Sequence, residues 1–175
     1  MVDKTRVMAV AKRFMDGSVD ADQFYKDLTL VLAEESGATR ASLWCYPDPV
    51  MRDRIECLSL YDRTDAAWSG GAVLKEDDFG PYFEAMRKDG LIVAGDARRH
   101  PVTDCFNEIY FDPLGIVSLL DVGINVAGEP FGLFCCENTT EILDWTPAHV
   151  EYLRQVGTLL GFALRKARSG SPVAA

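Results

Sequence analysis

Five cysteines and two histidines are the residues of this chain best suited to redox or metal chemistry. Cys45, Cys57, Cys105, Cys135 and Cys136 are odd in number and irregular in spacing, so they form no disulfide framework. Cys135 and Cys136 are adjacent, and neighbouring strand residues point to opposite faces. Structural zinc sites space their cysteines by about two to four residues. The pair is therefore not expected to hold zinc, even with His100 or His149, and no metal is expected. The thiols read as reduced and mostly buried, in a cytoplasmic protein. No G-x-S-x-G, phosphate loop or H-E-x-x-H occurs.

The most polar cluster is Asp96-Ala97-Arg98-Arg99-His100-Pro101, with Asp104 close behind. Aromatics gather around it: Tyr82, Phe83, Phe106, Tyr110 and Phe111. An apolar pocket with a few convergent polar groups is the usual form of a small-molecule site. Asp121 sits inside an apolar run and is expected as a hydrogen-bonded or pocket-facing carboxylate. The candidate ligand-binding set from this region is Tyr82, Asp96, Arg98, Arg99, His100 and Asp104. Phe106, Tyr110, Ser118 and Asp121 complete it. From His100 to Leu153 there is no Lys or Arg, and there are nine acids, matching the net −9 of the whole chain. Arg98 and Arg99 are the last bases before that stretch, so the field favours a neutral or weakly charged aromatic ligand over a cyclic nucleotide. No cofactor is identified.

These residues need a scaffold, and 175 residues suit one domain. Hydrophobic residues make up 48% and charged residues 26%, ordinary values for a globular fold. With 18 Lys+Arg against 27 Asp+Glu, neither nucleic acid nor an anionic membrane surface is an expected partner. No apolar run approaches the ~18 residues of a membrane span, and Met1 to Asp20 contains no signal-type apolar core.

Val7, Val10, Ala11 and Phe14 recur at helical spacing, and Gly17-Ser18 breaks the pattern. Asp20 and Gln23 open a second helix as a capping-box-like pair, and Gly37 ends it. Strands are expected over 40–46 and 55–61, a short helix over 80–88 and a short strand over 91–94. A short helix is expected near 103–110. Strands over 115–125 and 130–137 meet at Ala127-Gly128 as a hairpin. Thr146-Pro147 starts a long last helix, running to about Ala167. This order reads as α+β with an antiparallel sheet. The last helix is apolar over about half its circumference, wider than the ~100° stripe that one contact needs. A homodimer is therefore expected through Val7, Val10 and Phe14 with Val150, Leu153, Leu160 and Leu164.

From Asp20 to about Ala167 the chain resembles a GAF domain, a small module of signalling proteins. The resemblance is carried by 40–44 (Arg-Ala-Ser-Leu-Trp), 92–97 (Ile-Val-Ala-Gly-Asp-Ala) and 113–121 (Pro-Leu-Gly-Ile-Val-Ser-Leu-Leu-Asp). The hairpin 128–133 (Gly-Glu-Pro-Phe-Gly-Leu) and Trp145-Thr146-Pro147 complete it. It implies a sheet of five or six strands, terminal helices on one face and a ligand pocket on the other. It also implies a sensory or regulatory, non-enzymatic role, with an output partner in signalling. The organisation expected is a helix over 1–17, the GAF-like domain over 18–168 and a disordered tail over 169–175. Asn138 is followed by Thr139, so the Asn-Lys pair of cyclic-nucleotide binders is missing. No cysteine precedes a histidine, as bilin attachment usually requires. The alternatives are a cysteine redox enzyme like the free methionine sulfoxide reductases, and a dimerisation scaffold without ligand.

Overall fold

The computed structural model describes residues 4–170. Helix α1 (Thr5–Met15) buries Val7, Val10 and Ala11. Its Phe14 ring stacks on Phe24 with centroids 4.4 Å apart. Helix α2 (Ala21–Ser36) starts where the Asp20 carboxylate accepts from the Gln23 amide at 2.9 Å, and it stops at Gly37 in a left-handed conformation. A cap of this kind contributes about 1 kcal/mol. Asp20→Ala is expected to lower unfolding stability by that amount, read by urea titration; an unchanged midpoint would contradict the cap's role.

The sheet holds β1 (Arg40–Cys45), β2 (Arg54–Asp62), β3 (Ala67–Ser69), β4 (Val73–Lys75), β5 (Leu91–Ala94), β6 (Ser118–Val126) and β7 (Glu129–Asn138). It is antiparallel throughout, in the order β3-β2-β1-β7-β6-β5. Strand β4 also pairs with β2, at the opposite end from β3. Six ranks therefore hold seven strands, and the outermost rank is split. The fold is α+β, as the order of elements implied.

Helix α3 (Gly80–Asp89) precedes β5, and helix α5 (Pro147–Gly170) closes the chain. Helices α1, α2 and α5 cover one face of the sheet over Leu43, Leu120, Val122, Phe134 and Cys136. The opposite face carries a second core of Trp44, Ile55, Leu119, Leu133 and Cys135 under Tyr82, Phe83, Phe106 and Phe111. Two departures bear on the site. The segment expected as one short helix is a 3₁₀ turn (Asp104–Phe106), a π turn (Asn107–Phe111) and a single α turn, α4 (Asp112–Leu114). The following strand starts three residues later than expected, because Gly115 adopts φ 71° and ends α4.

The residues expected at a dimer interface pack within this chain. Val7, Val10, Val150, Leu153, Leu160 and Leu164 are all buried, and Phe14 packs against the same cluster. The chain's own sheet and helices cover them, so they serve the core. Helix α5 continues through Gly170, past the start expected for the tail; residues 171–175 lie outside the described residues. No described helix is long and apolar enough to cross a membrane.

Candidate functional site

Hairpin β6–β7 builds the polar end of the second core. The strands leave the turn with Val126 opposite Glu129 and Asn125 opposite Pro130, but Ile124 lies opposite Gly132. Phe131 is the extra residue of a β-bulge. Beyond it Asp121 faces Cys135, and Glu137 stands two residues along on the same face, opposite Leu119. Two carboxyl groups thus share one face of a hydrophobic layer.

Each acid has a tyrosine. Tyr82, from α3, donates its hydroxyl to Asp121 Oδ2 at 2.5 Å. Tyr110, from the π turn, donates to Glu137 Oε2 at 3.3 Å. Arg40 supports Glu137 from β1: its Nε lies 3.6 Å from Glu137 Oε2 and 3.4 Å from Asp62 Oδ2. Asp121 Oδ1 is buried and accepts no hydrogen bond. Trp44, Phe106, Tyr110 and Leu119 join these groups around a cavity of about 20 Å³. That is room for about one water molecule.

Burial pushes the Asp121 carboxyl up to about 7, against hydrogen bonding from Cys135 and Tyr82. Glu137 is also raised by burial, with Arg40 opposing. The Cys135 thiol lies beside both acids, and burial and the Asp121 charge push it far above the ordinary thiol range. Cys57 and Cys136 are pushed up to about 12 by burial. Burial raises Cys45 and Cys105 as well. Thiolate, not thiol, is the nucleophile, so none of the five is activated in this state. No group of three or more metal-ligating side chains occurs among the described residues.

Of the sequence candidates, Tyr82, Phe106, Tyr110 and Asp121 meet at this cavity. The others lie elsewhere. Arg98 donates Nε to the Ile116 carbonyl at 2.8 Å and Nη2 to the Phe111 carbonyl at 3.3 Å. It also approaches Asp112 at 3.6 Å, so it staples the segment that roofs the cavity. Arg99 is 88% exposed and 3.8 Å from Asp96. His100 Nδ1 accepts from the Val102 amide at 3.3 Å, and Asp104 is exposed. Ser118 is buried; its hydroxyl donates to the Ala94 carbonyl at 3.5 Å and accepts from the Leu143 amide at 3.3 Å. The polar end of the cavity is set by the hairpin and not by the Asp96–Asp104 loop. Sequence reasoning missed Arg40, Glu137 and Cys135. The signal for Glu137 was Asp121 on the facing strand of the hairpin, two residues away in register, but the bulge concealed it.

A six-rank antiparallel sheet, helical on one face and roofed by α3 and irregular turns over a polar-ended cavity on the other, defines an α+β pocket domain. The GAF domain model matches residues 20–164, and the chain belongs to that family. No curated protein matches the chain in sequence. Among solved structures, the phycocyanobilin-bound GAF domain of a cyanobacterial phytochrome is similar at 15% identity and TM-score 0.73, over 95% of this chain and 98% of that one. The GAF domain of an Acinetobacter phosphoenolpyruvate-protein phosphotransferase is similar at 12% identity and TM-score 0.68, over 97% and 96%. Free methionine-R-sulfoxide reductase of Neisseria meningitidis, in complex with its substrate, is similar at 17% identity and TM-score 0.66, over 96% and 91%. At these identities the likeness is one of fold, which hosts more than one function.

Proposed function

We propose that this chain is a non-catalytic regulatory GAF domain whose pocket closes on a small group rich in hydrogen-bond donors. Asp121 carries the reading. Its Oδ1 is buried without a hydrogen bond of its own, the weakly donating Cys135 thiol being its neighbour, and Asp121 borders a cavity sized for one small group. An unpaired buried acceptor costs about 1–3 kcal/mol, and an entering donor removes that cost. Trp44, Tyr82, Phe106 and Tyr110 line the same cavity, and aromatic rings attract a cationic donor by about 0.5–2 kcal/mol. The chemistry favoured is a primary amine. The neutral aromatic ligand favoured by the charge pattern is too large for this cavity. Phe106, Tyr110 and Phe111 all belong to the irregular Asp104–Leu114 wall, so outward movement of that wall is the route by which more of a ligand enters.

The raised thiols support the absence of catalysis. Replacing Cys105 by serine is expected to leave folding and amine binding unchanged. Loss of a measured sulfoxide-reducing turnover on that replacement would overturn the non-enzymatic reading. Dimerisation in signalling belongs to the same proposal, now through Met8 and Phe162, which are 60% and 51% exposed beside Leu159 in a groove between α1 and α5.

A melting-temperature screen of small primary amines against matched alcohols and carboxylates tests the pocket, since a binder of the folded state raises stability. The expected result is an amine-specific rise that Asp121→Leu removes. A panel in which no amine raises the melting temperature overturns the reading.

A further inference from the structure

A second cleft, of about 320 Å³, opens where β1 ends, α3 ends and the β6–β7 hairpin bends. Arg52, Arg87, Lys88 and Arg154 line it, and Asp89 is the one acid among its lining residues. Four bases in one cleft stand out on a chain of net charge −9. Part of that charge is already used. Glu76 engages Arg87 through two hydrogen bonds, one of them at 2.8 Å from Nη1. Arg87 and Lys88 also occupy the last turn of α3, where cations oppose the helix dipole.

Arg52, Lys88 and Arg154 join none of the ion pairs found among the described residues, and of these three Arg52 and Arg154 carry guanidinium groups. Arg52 Nε is buried with no acceptor. Its backbone holds φ 50°, a conformation non-glycine residues adopt at a cost. Its amide donates to the Asp48 carbonyl at 3.0 Å, and the Asp48 carboxylate accepts from Val50 and Met51 at 2.8 and 2.9 Å. The loop thus fixes a charged side chain at the cleft without giving its Nε a partner. Tyr46 also lines the cleft. Burial raises its phenol, the charges of Arg52 and Arg87 oppose that rise, and the Asp121 charge adds to it.

We propose that this cleft binds a small oxyanion, the phosphate or carboxylate group of a soluble metabolite, between Arg52 and Arg154. Guanidinium groups present paired donors that match the paired oxygens of both anions. The site is separate from the amine pocket and does not depend on it.

The test titrates the whole chain with inorganic phosphate and, in a second arm, with succinate. Sodium chloride holds the ionic strength constant, and both melting temperature and amide spectra are followed. The expected result is a saturable response to at least one probe and none to chloride. Response to phosphate alone assigns a phosphoryl ligand, and response to succinate alone a carboxylate. Arg52→Gln and Arg154→Gln are each expected to weaken binding at least tenfold. Arg99→Gln, outside the cleft, is expected to leave it unchanged. Arg154 is exposed on α5, so its variant keeps the test decisive if Arg52→Gln does not fold. A response equal to that of chloride, or one that survives Arg154→Gln undiminished, overturns the proposal.

Discussion

Gly132→Ala is expected to abolish the native fold and not merely to weaken it. A Cβ at this position would sit inside the van der Waals sphere of the Trp44 carbonyl oxygen and 2.7 Å from the Cys45 Cα. Both obstacles are backbone, so no side-chain rotation relieves them. Strand β7 would have to leave β1 or slip along it. A one-residue slip would turn Cys135 and Glu137 into the helical core. The expected loss exceeds about 4 kcal/mol, the range of exceptional single substitutions, against a typical total of about 5–15 kcal/mol. Gly157→Ala is the matched control. Its nearest new neighbour is Ile124 Cγ1 at 3.5 Å, an ordinary contact, and it lies inside α5. Alanine there should stabilise by roughly 0.5–1 kcal/mol. Far-ultraviolet circular dichroism and thermal melts read both. A Gly132→Ala protein melting within a few degrees of the native chain would refute the argument.

Asp121 is expected to make the protein lose stability as pH rises from about 4 to about 7. Its folded pKa of about 7 lies above the ordinary 3.8, so between those values the folded state holds a proton that the unfolded state has released. Stability falls with pH wherever the folded state binds more protons. The contribution is whole below the unfolded pKa and is lost as pH passes through the folded one. About three pK units correspond to a loss on the order of 4 kcal/mol. Glu137 is shifted the same way, and Tyr82, Cys135 and Tyr46 face the same group. Surface acids such as Glu76 are shifted the opposite way by their partners, so the total pH profile mixes signs. Comparison with Asp121→Asn isolates one group. That variant should gain on the native chain by urea unfolding between pH 4 and pH 8, and parallel profiles would remove Asp121 as the cause.

Much of the scaffold was legible because local chemistry marks its ends. Asp20 and Gly37 bound α2, Thr146-Pro147 opens α5, and Ala127-Gly128 turns the last hairpin. Asp121 was legible as a polar residue inside an apolar strand. Glu137 was not, and the reason is one residue. Counted back from the turn in unbroken register, Asp121 would lie opposite Phe134, with Glu137 on the other face. The bulge at Phe131 reverses that relation, and a bulge changes register without changing hydrophobic alternation in any visible way. Arg98 misled for another reason. Its position among acids suggested a ligand contact, but the carbonyls of Ile116 and Phe111 come within its reach only after the roof has folded. The short β3 and β4 were missed because their residues are mostly exposed, which leaves no alternation to read.

The split outer rank of the sheet bears on self-association. One margin ends in two strands of three residues and the other in a strand of four, while the strands just inside are nine residues long. Unpaired strand backbone at a margin is a template for aggregation and domain swapping, and short edge strands blunt it. A neighbouring molecule approaching either margin meets outermost strands of three or four residues. The short outer strands cover part of each long strand: β5 pairs with Leu119–Val122 of β6, and β3 and β4 pair with the two ends of β2. Margins this short disfavour strand addition as a mode of self-association.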